Sequence, residues 1–376
     1  MAWLRERRGP DGRTRYQGSY RDPNGRERSA GTFSTRRQAL RAATKAEAAI
    51  EAGTWFDASA GKVAFRTYAL EVWWASLHLE LTTKAAYRSN LETHFLPFFG
   101  DLRMANILPS HVQAWVNKAL EDGLTPRSVV KYHVVLHGIF KQAVRDRVIP
   151  FNPAAETKLP KVVRKQRRIL TPKEFQTLLE HIPERWLPLV LTSIETGLRW
   201  GELVALRPRH VDWTNWRIRI EETALELSKR NSPTGQRIVF KGYPKDDEPR
   251  TLAVTRELIA VLEKRVDNYG LGPDHLLFPS TEGPSLIPVS RNTFRTKVWL
   301  PALEGAKLGF PVRMHDLRHA HASWLLAGGA DLATVMERLG HRQIMTTQQY
   351  LHTLPDADRK ALKAFDAIRR REPLEP

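Results

Sequence analysis

The sequence predicts a multidomain α+β chain: a small N-terminal three-stranded sheet plus helix, an all-α helical bundle, and a mainly α C-terminal domain with a small antiparallel sheet. Three observations predict it. Two turn signals, Gly9-Pro10-Asp11-Gly12 and Asp22-Pro23-Asn24-Gly25, punctuate short alternating runs at the front of the chain. Apolar residues at helical spacing then dominate from Val63 to about Arg147. In the second half, the β-favouring stretches Trp216 to Glu222, Gln236 to Phe240 and Arg250 to Val254 interrupt helical patterning and read as one three-stranded antiparallel sheet. A chain of 376 residues is long enough for two or three domains.

Taken in order, the first strands are Trp3 to Arg8, Thr14 to Arg21 and Arg26 to Phe33, and Ser34 caps a helix reaching about Ala52. So small a sheet buries little and needs that helix for stability. The bundle follows as helices over Val63 to Leu79 and Thr82 to Phe95, a segment capped by Ser110 ending near Gly123, and a long helix opened by Thr125-Pro126. From Pro160 to Arg168 there are five cations and no acid, a poor core element but a suitable strap over phosphates. Thr171-Pro172-Lys173-Glu174 is a capping box opening the C-terminal domain, with helices to about Leu189 and from Leu191. After Arg256 helices resume, broken by a loop from Gly270 to Val289. The expected domains are residues 1–60, 61–158 and 171–376, with a basic linker at 159–170.

Lys and Arg number 59 against 41 Asp and Glu, a net charge of +18, which points to a polyanionic partner such as nucleic acid. The absence of cysteine excludes disulfides, thiol catalysis and cysteine-ligated zinc. Residues Met1 to Arg8 lack the apolar core of a signal peptide, and no run approaches the roughly 18 apolar residues of a membrane span, so a cytoplasmic protein is expected. Arginines alternate along the first strands, and a sheet bearing Arg5, Arg15 and Arg28 can lie in a DNA groove. Lys84, Arg88, Arg127 and Lys131 on the bundle, and Arg164, Lys165 and Arg167 in the linker, are further candidate DNA contacts. Each of these could equally be a solvated surface position.

The chemistry is concentrated in His315-Asp316-Leu317-Arg318-His319, Leu339-Gly340-His341 and Tyr350. A phenol is a nucleophile able to hold a phosphoryl group, Arg318 offers a planar fork of donors to phosphate oxygens, and His315 and His341 can move protons near neutrality. No carboxylate cluster accompanies them, which argues against a metal-dependent nuclease. His315 and His319 are four residues apart, but Arg318 would set a cation beside any zinc and the glutamate of H-E-x-x-H is missing, so His319 reads as a buried structural histidine. A second arginine stands upstream in Glu195-Thr196-Gly197-Leu198-Arg199-Trp200-Gly201-Glu202-Leu203. Glu202 lies one helical turn from Arg199, close enough to orient a neighbouring arginine or histidine.

In this order, Arg199, Glu202, His315, Arg318, His341 and Tyr350 resemble the active site of the tyrosine recombinases, the phage-integrase family. The resemblance implies an arm-type DNA-binding domain, a helical core-binding domain and a catalytic domain. It implies an Arg199 and Arg318 clamp on the scissile phosphate, with Tyr350 forming a 3′-phosphotyrosine and His315 accepting its proton. His341 would hydrogen-bond the phosphate or seat the phenol. A lysine on a strand turn would protonate the leaving 5′-oxygen: Lys245, or alternatively Lys241, since the interval to Arg250-Thr251 is one residue short of the family pattern. It further implies no cofactor, metal or ATP, and a homotetramer resolving a Holliday junction between double-stranded attachment sites, joined through a C-terminal tail over residues 354–371. A directionality factor and a host DNA-bending protein would be its partners, and it would be nucleoid-associated when bound to DNA. A three-part chain fits an integrase of a phage or integrative element. A Xer-like or transposon recombinase, a type IB topoisomerase, and a DNA-binding regulator that lost activity are the alternatives.

Overall fold

A computed structural model describes residues 2–8, 12–53, 55, 60–163, 168–232, 235–242 and 249–340. The chain forms two compact units, Met1–Arg164 and Lys165–Pro376. In the first unit, β1 (Trp3–Arg8), β2 (Thr14–Arg21) and β3 (Glu27–Phe33) form an antiparallel sheet in the order β1-β2-β3. Trp3 pairs with Ser19 and Tyr16 with Phe33, and a bulge falls at Gly18/Ser19. Asp22 builds the second turn: its Oδ1 accepts from the Asn24 and Arg26 backbone N–H groups, both at 2.9 Å. The helix Arg36–Glu51 closes one face through the fully buried Ala39 and Ala43. Its cap is Thr35, which accepts from Gln38 N at 3.3 Å, rather than the expected Ser34. Trp55 adds the largest apolar piece, donating to the Tyr20 hydroxyl at 3.0 Å.

The bundle of the same unit comprises helical runs over residues 65–76 and 81–99 and the helices Pro109–Glu121 and Pro126–Arg145. Thr125 caps the last as expected, accepting from Ser128 N at 3.2 Å. Ser110 is not a cap: Pro109 already occupies the first turn, and the His111 ring accepts from the Leu108 N–H at 3.2 Å. Val129, His133, Leu136, Phe140 and Ala143 recur at alternating intervals of four and three, and all are buried. Phe140 meets Phe65 at 5.7 Å between ring centres, and Phe65 meets Phe99 at 5.6 Å. Aromatic rings run through the middle of this core, and each is worth about 1.5–3 kcal/mol by burial alone.

In the second unit, Thr171 and Glu174 close the capping box reciprocally, at 3.3 and 2.9 Å. The helix Pro172–Leu179 stops ten residues short of expectation because the chain turns through Pro183, and Leu187–Thr196 spans the break expected near Val190. Five strands follow, β4 (Val211–Asp212), β5 (Arg217–Ile220), β6 (Thr223–Glu226), β7 (Ile238–Lys241) and β8 (Arg250–Ala253). They make two sheets instead of one: β4-β5-β8, and a separate β6-β7 pair that takes the expected Gln236 strand. The extended run changes partners at Glu221 and Glu222, whose carboxylates turn to Arg219 and to Arg207 and Arg209. Helices over Arg256–Tyr269, residues 291–306, Met314–Ala327 and Leu332–Leu339 complete the described fold. A core including Leu189, Leu203, Ile218, Leu262, Phe278 and Leu317 joins sheet to helices, and a satellite of Ala322, Leu326, Val335 and Leu339 docks the last helix on its predecessor.

Phe140→Ala should lower unfolding stability by about 3–5 kcal/mol, as expected for an emptied aromatic site. On the same helix Val134 is 62% exposed, so Val134→Ala should change it by less than about 0.5 kcal/mol. Urea titration of both variants checks the contrast.

Candidate active site

The Leu187–Thr196 helix ends at Gly197, whose φ of 64° is the left-handed cap that lets the chain reverse. A side chain at this position would also run into the His321 ring, 2.7 Å from an added Cβ. Two residues on, Arg199 begins the short helix Trp200–Val204, with the Glu202 carboxylate accepting from its backbone N–H at 3.1 Å. Gly201 allows this helix to lie directly on β6, since a Cβ would come within 2.6 Å of the Ala224 carbonyl. The T-G-L-R-W-G-E box is therefore a turn, a cap and a close approach compressed into seven positions.

The Glu202 side chain is 1% exposed and carries two arginines. Arg199 Nη1 donates to Oε1 at 2.9 Å, and Arg250 Nη2 donates to Oε2 at 2.6 Å. Burial alone would raise the carboxyl pKa, but Arg250, then Arg199 and Arg318, outweigh it and hold the group below the usual carboxylate range. Glu202 is accordingly a fixed anion surrounded by more positive charge than it neutralises.

Those arginines find their remaining acceptors at one place. The helix Leu332–Leu339 ends in three carbonyls with no partner inside the helix. Arg250 Nε donates to Arg338 O at 3.1 Å, Arg318 Nη2 to Leu339 O at 2.6 Å, and Arg199 Nη2 to Gly340 O at 3.0 Å. Arg318, 2% exposed on the Met314–Ala327 helix, also donates from Nη1 to Gly197 O at 2.7 Å. Arg199 and Arg318 thus take successive backbone carbonyls just before position 341. Three arginines against one carboxylate leave a local surplus of positive charge, suited to an anion with several oxygens.

His315 stands exposed one turn before Arg318, and its ring lies edge-on to the buried His319, with centres 5.0 Å apart. Asp316 is spent on capping, accepting from Arg313 N at 2.8 Å. Lys241 ends β7, half-buried and in register with Thr223. The expected Lys245, His341 and Tyr350 lie outside the described residues, as do Arg164, Lys165 and Arg167.

The other candidate contacts are distributed over the first unit. Arg5 and Arg15 are exposed on the sheet, with Arg5 paired to Glu27 at 2.9 Å, while Arg28 is half-buried and its Nε pairs with the buried Asp22 at 2.9 Å. Lys84 and Arg88 both lie over the Trp74 ring, at 5.3 and 5.5 Å, and Arg88 also pairs with Glu92. Arg127 and Lys131 are exposed on one face of Pro126–Arg145.

Two site residues escaped the sequence reading. Arg250 appeared there only as a ruler for the lysine spacing, although an arginine following that turn was the available signal. His321 had no signal, because its role comes from packing against Gly197. Its Nδ1 bonds Ile194 O at 2.8 Å, so the neutral ring donates there and leaves Nε2 buried with no hydrogen-bond partner among the described residues. Burial first, then the cations of Arg338 and Arg318, push its pKa down to about 4.

With this geometry in hand, similarity to known proteins is informative. Residues 168–356 match the phage integrase family, and residues 65–120 match the N-terminal SAM-like domain of phage integrases. The chain is 28% identical over 355 residues to the putative prophage phiRv2 integrase of Mycobacterium tuberculosis, covering 92% of this chain and 91% of that protein. It is 30% identical over 296 residues to the tyrosine recombinase XerD of Pseudomonas aeruginosa, covering 75% and 90%. Its fold is similar to that of the Tn1549 transposon integrase bound to transposon right end DNA (TM-score 0.67, 17% identity, 81% of this chain and 100% of that one). It is also similar to lambda integrase in a tetramer bound to a Holliday junction (TM-score 0.61, 19% identity, 93% and 94%). The chain belongs to the phage integrase family, a family of tyrosine recombinases. Among the described residues no helix is long and apolar enough to cross a membrane.

A folded-state pKa below the unfolded value of about 6.5 makes the unfolded chain take up the His321 proton first as pH falls. The stability contributed by the neutral ring is complete above about pH 6.5 and is lost towards pH 4, up to roughly 3 kcal/mol. His321→Gln should flatten the slope of unfolding stability against pH in that window, measured by urea titration at pH 7, 5.5 and 4.5. An unchanged slope would show that His321 is not buried as a neutral group.

Proposed function

We propose that this chain is a site-specific integrase that cuts and rejoins DNA through a covalent tyrosine intermediate, without metal or ATP. The observation that carries the reading is the convergence of Arg199 and Arg318 on the successive carbonyls of Leu339 and Gly340, backed by the buried Glu202. Two guanidinium groups at one phosphorus would meet the charge that builds on the non-bridging oxygens during in-line attack. Tyr350 would supply the nucleophilic phenolate, His315 would accept its proton, and His341 would hydrogen-bond the phosphate. Lys245, or Lys241, would protonate the departing 5′-oxygen. The phosphotyrosine bond retains the energy of the broken phosphodiester, so attack by a new 5′-hydroxyl reseals the strand and regenerates the tyrosine.

The same reading divides the chain into an arm-binding domain (1–60), a core-binding domain (61–158), a basic linker (159–170) and a catalytic domain with its tail (171–376). Four protomers would act on two double-stranded attachment sites and pass through a Holliday junction, with the tail linking neighbours cyclically. A directionality factor and a host DNA-bending protein would bias the reaction, and the protein would work in the cytoplasm on the nucleoid. Alignment with the prophage integrase over 92% of the chain, against 75% for XerD, favours an integrase over a chromosome-dimer resolvase.

Tyr350→Phe should abolish the covalent protein–DNA adduct on a nicked attachment-site substrate and leave specific binding intact. An adduct on any other side chain, located by mass spectrometry, would remove the proposed nucleophile. Arg318→Ala should slow adduct formation by on the order of 10²–10³-fold, and near-normal cleavage would count against the clamp. Binding should weaken steeply as salt rises from roughly 50 to 200 mM, in proportion to the phosphates neutralised; a flat dependence would exclude backbone-driven recognition.

A further inference from the structure

Nothing in the proposed chemistry uses Arg250, yet it contacts both the Glu202 carboxylate and the end of the Leu332–Leu339 helix. It opens β8, and its side chain is 11% exposed. Its two Nη atoms face the two oxygens of Glu202, at 2.6 and 3.4 Å, while Nε donates to Arg338 O at 3.1 Å. Gly340 lies against the same guanidinium, where an added Cβ would stand 3.1 Å from Nη1. One side chain therefore ties β8, the Arg199 box and the backbone entering position 341 to one another.

We infer that Arg250 is a positioning residue for strand cleavage, holding the Glu202 carboxylate so that Arg199 keeps its two arms on Glu202 and Gly340 O, the orientation in which it would meet the phosphate. The inference rests on the integrase reading above. A carboxylate has acceptor sites for more than one guanidinium, and here Arg250 spans both oxygens while Arg199 uses one for its side chain. Removing Arg250 leaves Glu202 Oε2 with only the Arg199 backbone N–H, at 3.1 Å, among the described residues, and takes one of two paired cations from a buried carboxylate, which is costly. The nearest group able to satisfy it is Arg199, which would turn further onto Glu202 and release Gly340 O. The phosphate would then lose one member of its clamp even though no phosphate contact had been mutated. Arg250 acts through its neighbours, so its loss should appear in the chemical step and not in DNA affinity.

The test is single-turnover cleavage of a nicked attachment-site duplex by the full-length protein at saturating DNA, with DNA affinity measured separately. Arg250→Gln should cut the rate about 10- to 100-fold, the range for groups that orient a functional residue, with Kd within about twofold. Arg250→Lys keeps a cation but cannot span both oxygens and the Arg338 carbonyl, so it should recover only part of the rate. In a double-mutant cycle with Glu202→Gln, the paired variant should be no slower than the slower single variant, because both changes break one unit. Wild-type rates for both Arg250 variants, a loss confined to Kd, or rate losses that multiply in the cycle would overturn the inference. Wild-type protein forming no adduct through Tyr350 would instead reject the integrase reading.

Discussion

The second unit depends on one buried carboxylate. Taking the Glu202 charge out of water costs several kcal/mol, and the cost is tolerable only with well-placed cations. Arg199 and Arg250 supply them, and each brings donors of its own that also need acceptors in a poorly hydrated place. The C-terminal end of Leu332–Leu339 answers that need with the carbonyls of residues 338, 339 and 340, one for each of Arg250, Arg318 and Arg199. A helix C-terminus is favourable for cations on electrostatic grounds as well. Segments 141 residues apart in sequence are thereby held at fixed positions around one surplus of positive charge.

Much of the surrounding structure serves this arrangement. Gly197 bends the chain where Arg318 needs a carbonyl, and the pressure of His321 on that glycine explains why the turn tolerates no side chain. The satellite core of Ala322, Leu326, Val335 and Leu339 fixes the last helix against the helix that bears Arg318. Without that packing the three carbonyls would have no defined position. Apolar burial and the polar site are thus coupled, because the hydrogen bonds are made to backbone that hydrophobic contacts hold still.

In the first unit, charge has a different distribution. Arg5, Arg28 and Arg88 each make an ion pair, two of them across strands or turns and one along a helix. Arg127 and Lys131 instead project from the exposed face of a helix whose opposite face is locked by aromatic packing. A net charge read from composition describes the long-range field, and local pairing decides which cations remain to meet a phosphate.

Periodicity and punctuation determined the elements. The turn at Asp22, the caps at Thr125 and Thr171, and the buried stripe from Val129 to Ala143 are local matters of hydrogen bonding and side-chain spacing, and each was legible in the sequence. The motif boxes likewise singled out Arg199, Glu202 and Arg318, which the fold brings together around one carboxylate. Strand pairing was not legible: the Gln236 strand pairs with β6 instead of joining β5 and β8, a choice made between residues distant in sequence. The same holds for Arg250 and His321, whose roles come from the groups packed against them. A residue's type decides what it can donate, accept or bury, and only the folded chain decides which partner is within reach.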